Sequence, residues 1–171
     1  MASLIEELID VLEQECTIYE NLYAVSDTKT QAIVKNDIQE LQKITDQEQA
    51  VIDQVLVLEK KRQTIVDNIA VVLNYKGKNM TVADIVRVME GQSDFQIPLS
   101  RLHHRLRNVV MQLQQVNTQN RELLEDALEM TEFSINILQT AGQAPETANY
   151  DKKSYSGDML GVSYSQFDSK S

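Results

Sequence analysis

DIQELQKITDQEQAVIDQVLVLEKKRQTIVDNIAVVLN, residues 37–74, decides how the rest of the chain is read. Within it Leu41, Ile44, Glu48, Val51, Val55, Leu58, Arg62, Ile65, Ile69 and Val72 recur at alternating steps of three and four, and eight of these ten are apolar. A 3.5-residue repeat keeps one stripe facing a partner over five heptads, as an antiparallel coiled-coil arm requires; a loosely amphipathic helix drifts off its partner. Just upstream, Asn36-Asp37 marks a stop and restart, with Asp37 placed to cap the new helix and Glu40 three residues on.

Working backwards, residues 3 to about 35 form a first helix. Leu4, Leu8, Val11, Glu15, Ile18, Leu22 and Val25 carry its seam, widened by Ile5, Leu12 and Tyr19. The signal fades across Ser26-Asp27-Thr28-Lys29-Thr30, where no apolar residue occurs. Working forwards, residues 74–80 make a polar turn around Gly77, and Thr81-Val82-Ala83-Asp84 opens a short third helix that ends near Gly91. A fourth helix is expected from Pro98, a residue tolerated in a first turn. Its seam is Leu99, Leu102, Leu106, Val109, Leu113, Val116, Asn120, Leu123, Ala127, Met130, Ser134 and Ile137, with ten of twelve apolar. After about Ala141 the periodicity stops and Gly, Pro, Ser, Tyr and Lys alternate, which predicts a disordered tail over 141–171 behind a helical domain over 1–140.

Composition agrees. The 171 residues contain 5 Gly and 2 Pro, and Gly142, Gly157 and Gly161 fall in the last 30, so a turn-rich β fold is excluded. The expected class is all-α: an elongated antiparallel helical bundle or coiled coil of three long helices plus one short helix, with the disordered C-terminal tail. There are 26 acidic residues against 16 basic ones, a formal charge of -10, which disfavours nucleic acid and an anionic membrane surface. No apolar run approaches the ~20 residues needed to span a bilayer, and the N-terminus does not read as a secretory leader. Cys16, the single cysteine, has no partner for a disulfide or a zinc site, so the chain points to the cytoplasm.

Charge also suggests how the helices meet. Residues 1–21 hold six carboxylates and no Lys or Arg, whereas the fourth helix opens with Arg101, His103, His104, Arg105 and Arg107. An up-down bundle runs helices one and four parallel and brings Lys60, Lys61 and Arg62 of helix two to the same acidic end. At 1.5 Å per residue the three long helices span roughly 45, 57 and 63 Å, so the far end of helix four overhangs. That end is its most apolar part, from Leu123 to Leu138. A helix packed on two neighbours needs so wide a face, and so does an open groove for another helix; the residues leave both readings standing.

Catalytic signals are absent, so no enzyme and no cofactor is expected. His103 and His104 are adjacent and project about 100° apart, so they cannot share a ligand. No Glu has a His three residues later, as inward-facing di-metal carboxylate bundles require. Gly77-Lys78 lacks the upstream glycine of a phosphate loop, and nothing pairs with Cys16 to activate it. Glu15, Glu48, Arg62 and Asn120 sit on seams, where isolated polar residues pair locally and set register.

An acidic helical hairpin of about 140 residues, the Asn36-Asp37 break, the short third helix, the run Asn117-x-x-Asn120-Arg121-x-Leu123-Leu124 with Ala127-Leu128 beyond it, and a tail opening Tyr150-Asp151-x-x-x-Tyr155-x-Gly157 together resemble the FlgN-type flagellar export chaperones. The resemblance covers nearly the whole chain; the tail departs by placing its glycine two residues after a second tyrosine. It implies a cytoplasmic, non-catalytic chaperone that binds the hook-filament junction proteins FlgK and FlgL, prevents their premature assembly and delivers them to the flagellar type III export gate. Its clients would be held by terminal amphipathic helices. On that reading the client face is Leu123, Leu124, Ala127, Leu128, Met130, Ile135 and Leu138, with Asn117 and Asn120 setting register. Tyr150, Tyr155 and Tyr164 are candidate anchors for gate or client, against the plainer reading as part of a solubilising tail. The competing function is a non-catalytic coiled-coil adaptor whose apolar overhang is a homodimer interface; a metal-dependent bundle enzyme is a weaker third.

Overall fold

The computed structural model describes residues 2–77 and 79–142. The tail, with Tyr150, Tyr155 and Tyr164, lies outside the described residues apart from Ala141 and Gly142. Among the described residues the chain is helical without strands: α1 (Ala2–Val34), α2 (Ile38–Val72), α3 (Val82–Val88) and α4 (Ser93–Gly142). Three long helices and one short one are therefore present as expected. The described residues divide into two units, one up to Met130 and one from Thr131. The described part of the second unit, residues 131–142, is helical and exposed throughout.

Local chemistry sets the breaks. Asn36 takes the left-handed conformation at φ 53, and its N–H and that of Asp37 satisfy the carbonyls of Ile33 and Ala32 at 2.9 and 3.0 Å. Asp37 then accepts the Glu40 N–H at 3.0 Å. Glu40 turns outward to Lys43 at 3.2 Å. Asp37→Ala is expected to cost about 1 kcal/mol, the usual worth of an N-cap, read as a lowered denaturation midpoint with an unchanged slope. Ahead of α3, Thr81 and Asp84 cap each other through both side chains.

The start of α4 differs from expectation. It begins at Ser93, one turn before Pro98, because the Gln92 carbonyl already receives the N–H groups of Phe95 and Gln96 at 3.1 and 3.0 Å. Pro98 sits in the second turn, where it denies the Asp94 carbonyl its partner. Gly91, at φ +95, makes the reversal that allows this earlier start.

Cross-helix contacts fix the directions within the first unit. Glu15 meets Arg62, Tyr19 meets Glu59 and Lys29 meets Glu48, so α1 and α2 are antiparallel. Cys16 meets the Leu102 carbonyl, Glu20 meets Arg105 and Thr30 meets Asn120, so α1 and α4 are parallel. The core lies where all four helices converge: Ile5, Leu8, Leu12 and Cys16 of α1, Ile65, Val66 and Ile69 of α2, Val82 and Ile85 of α3, and Leu99 and Leu102 of α4. Short α3 thus closes the end of the α1, α2 and α4 array.

The buried stripe is not the strict seam. Ile5, Leu12 and Cys16 are fully buried while the seam residues Leu4 and Ile18 are half-buried. On α2, Val66 is buried and the seam residue Val72 is exposed. An α-helix turns about 20° per heptad away from a 3.5 repeat, so over five heptads the buried line moves off the nominal seam unless the helices supercoil fully.

Candidate functional site

A polar layer crosses the three long helices near the end of α1. Ser26 and Asn120 are buried within it. The Asn120 amide donates through Nδ2 to the Ser26 carbonyl at 2.7 Å and accepts the Thr30 hydroxyl through Oδ1 at 2.6 Å. The Ser26 hydroxyl donates to Glu48 Oε1 at 3.0 Å, and Lys29 Nζ donates to Glu48 Oε2 at 2.7 Å. One amide on α4 thereby locks α1, which in turn locks α2. Asn120, expected to set the register of a client, is used inside the chain, both ends of its amide engaged.

Beyond this layer the apolar residues of α4 turn outward. Asn117 is exposed at the rim of a cleft of about 300 Å³ that Leu22, Ile52, Arg121 and Leu124 also line. Leu123, Leu124 and Ala127 are half-buried, whereas Leu128 is 62% and Met130 73% exposed. In the second unit Ile135 and Leu138 are exposed, and so are Phe133 and Ile137 between and beside them. Two exposed residues that the seam reading missed are Val34 and Ile38. Because Thr30 bonds Asn120 and the helices run parallel, Val34 stands level with Leu124, one turn further on. Their position on either side of the Asn36-Asp37 break was the available signal: an apolar pair astride a turn has no helix to pack on.

A second polar cluster ties α1 to α2 nearer the core. Arg62 Nε donates to Glu15 Oε1 at 2.9 Å, and the Tyr19 hydroxyl donates to Glu59 Oε1 at 2.5 Å. Glu15 is buried and its Oε2 has no hydrogen-bond partner among the described residues. Burial pushes its carboxyl above the ordinary 4.5, with Arg62 pulling partly back. A raised carboxyl pKa binds its proton more tightly in the folded chain, so its contribution to stability is greatest at low pH and falls as pH rises above about 4.5. Glu15→Gln keeps an acceptor for Arg62 and removes the titration. Thermal melts at pH 4 and pH 7 are expected to show the variant gaining on the parent toward neutral pH; a parallel shift at both would contradict this assignment.

The remaining titratable candidates are Cys16 and His103, with Arg105 beside them. Burial raises the Cys16 thiol above its ordinary range and makes it less reactive. His103 is half-buried against α2 and α3 rather than on the surface, and burial with the neighbouring His104 and Arg107 lowers its pKa, so it is neutral at pH 7. Arg105 makes two bonds to Glu20, each 2.7 Å, and holds that carboxyl below its ordinary range. Among the described residues no group of three or more His, Cys, Asp or Glu is placed to hold a metal, and no helix is long and apolar enough to cross a membrane.

The uncharacterized protein YvyG of Bacillus subtilis (strain 168) is 28% identical over 131 residues, 77% of this chain and 78% of that protein. No solved structure matches. The model of the FlgN protein family matches residues 1–155, reaching past Tyr150 to Tyr155 and stopping short of Tyr164. With three long helices, a capped short one and an apolar α4 end all inside the matched span, the chain belongs to the FlgN family.

Proposed function

We propose that this protein is a cytoplasmic, non-catalytic flagellar export chaperone that holds terminal amphipathic helices of the hook-filament junction proteins FlgK and FlgL and hands them to the type III export gate. The observation that carries the reading is the change in α4 at the polar layer: up to Asn120 its apolar seam residues are largely buried, and beyond it Leu123 and Ala127 are half-buried and Met130, with Leu128 beside the seam, is exposed. An amphipathic helix laid on Leu123, Leu124, Ala127, Leu128 and Met130 would remove that surface from water together with its own apolar stripe. Val34 and Ile38 widen the receiving surface, and Asn117 and Arg121 offer polar contacts along its rim. Ile135 and Leu138, in the second unit, would extend the contact for a longer client.

Binding of this kind is reversible. Ordering an unfolded client helix subtracts ~2–5 kcal/mol from the gross contact energy, which leaves an affinity suited to transfer. Tyr150, Tyr155 and Tyr164 are proposed as anchors for the gate or the client, a tyrosine giving large contact area at small entropy cost.

The test is calorimetric titration of the full chain with synthetic peptides of the terminal helices of FlgK and FlgL, followed by circular dichroism. Saturable binding with a negative heat-capacity change and a gain in helicity is the expected result. Absence of binding, or a tight dimer in sedimentation that shuts the peptides out, would overturn the proposal in favour of a homodimeric adaptor.

A further inference from the structure

A further cleft lies away from the α4 end. It measures about 580 Å³ and sits between α2 and α4 beside the start of α3, with Leu12 of α1 in its lining. Val66, Val82, Leu106 and Val110 supply apolar walls. Its charged groups are Arg62 and Arg107, with the neutral imidazole of His103 one turn before Arg107. No Asp or Glu is in the lining among the described residues, although the chain has 26 of them and a net charge of -10. Arg62 already donates to Glu15, but Arg107 is exposed and makes no ion pair among the described residues. Met111 is 58% exposed at the mouth.

From these observations we propose that the cleft is a docking site for an acidic amphipathic helix of a partner protein, which seats apolar side chains between α2 and α4 and pairs a carboxylate with Arg107. Two features choose this occupant. Its apolar walls come from three helices, Val66 of α2, Val82 of α3 and Leu106 and Val110 of α4, a surface that an amphipathic helix can meet with its own apolar stripe. The sign of the lining is opposite to that of the chain as a whole, and a local cationic patch with apolar walls selects a negatively charged, apolar ligand. A second copy of this chain is the competing occupant. The site is separate from the apolar client face, since Met111 and Leu123, the nearest apolar members of the two, are about 18 Å apart along α4.

The experiment uses two fluorescein-labelled peptides of about 18 residues, five helical turns. Both carry Leu at helical spacing; one has Glu and Gln elsewhere, its twin Lys and Gln. Anisotropy is measured with the full chain at low ionic strength. Overall charge attracts the Lys twin, so only the local patch can reverse the order. The Glu peptide is expected to bind about tenfold tighter than its twin, and Arg107→Glu to abolish that preference while leaving capture of FlgK and FlgL helices unchanged. Met111→Gln, an uncharged change at an exposed position, is expected to weaken the Glu peptide as well and guards against an effect of charge alone. Equal or reversed preference, no binding of the Glu peptide, or self-association that Arg107→Glu dissolves would overturn the proposal.

Discussion

Leu128→Asp combined with Leu124→Asp is expected to lower capture of junction-protein helices at least about a hundredfold while the chain keeps its helicity. Fully burying a leucine stabilises by ~1.5–3 kcal/mol, and each ~1.4 kcal/mol is a factor of ten in affinity. Two lost leucines therefore account for ~3 kcal/mol or more, before the cost of desolvating two carboxylates against an apolar helix. The two positions differ in the free protein. Leu128 is 62% exposed, so replacing it costs the fold little, whereas Leu124 is half-buried beside Asn120. Leu128→Asp alone is accordingly the cleaner variant, expected to weaken capture by about tenfold with an unchanged melting temperature. Ile97→Asp is the control: Ile97 is also largely exposed on α4 but lies at the opposite end. Titration calorimetry of all three decides the matter, and undiminished capture by the double variant would remove this surface from the account.

Asn120→Asp is expected to be the most destabilising single polar change, on the order of 3 kcal/mol at neutral pH. The substitution is nearly isosteric, so packing is not the cause. Nδ2 donates to the Ser26 carbonyl at 2.7 Å, and a carboxylate oxygen there would meet another acceptor in a buried site. The sign can be checked by titration. A carboxyl buried against a carbonyl has its pKa raised, and once protonated it can donate to Ser26 as the amide did. The deficit is therefore largest at neutral pH and shrinks as the solution is acidified. Asn120→Leu should lose less, ~1–3 kcal/mol, because it strands the Thr30 hydroxyl and the Ser26 carbonyl without burying a charge. Denaturation midpoints at two pH values separate the three proteins. Equal stability of the Asn120→Asp variant and the parent at neutral pH would mean that the amide is not engaged as described.

The elements that could be read from the sequence are those specified by neighbours along the chain. Asp37 caps α2 because the Glu40 N–H is three residues away, and the Thr81/Asp84 box opens α3 by the same local logic. The Asn36 break needed only a residue tolerant of positive φ. What spacing could not supply was the identity of partners far apart in the chain. Asn120 was recognisable as a polar residue on a seam, yet its partners are the Ser26 carbonyl, 94 residues away, and the Thr30 hydroxyl, 90 away. Tyr19 was read as part of an apolar stripe because nothing local announces Glu59. Pro98 misplaced the start of α4 for the opposite reason, a strong local signal outweighed by hydrogen bonds to Gln92. The apolar character of the α4 end was visible, while whether another helix covers it stayed open; Val34 and Ile38 needed the parallel alignment of α1 with α4.

The placement of the core at one end of the first unit has a consequence during synthesis. Ile5, Leu8 and Leu12 leave the ribosome first, but their contacts include Ile85, Leu99 and Leu102. Until Leu102 has been translated these side chains have no complete enclosure, and elongation at ~5–20 residues per second leaves them waiting for seconds. The α1 and α2 hairpin can zip earlier from its tip, where Ile33 and Ile44 are close in sequence. A nascent chain of this kind is expected to be held by holdases in that interval, and translation intermediates arrested before about residue 100 should crosslink to ribosome-bound holdases more strongly than ones arrested later.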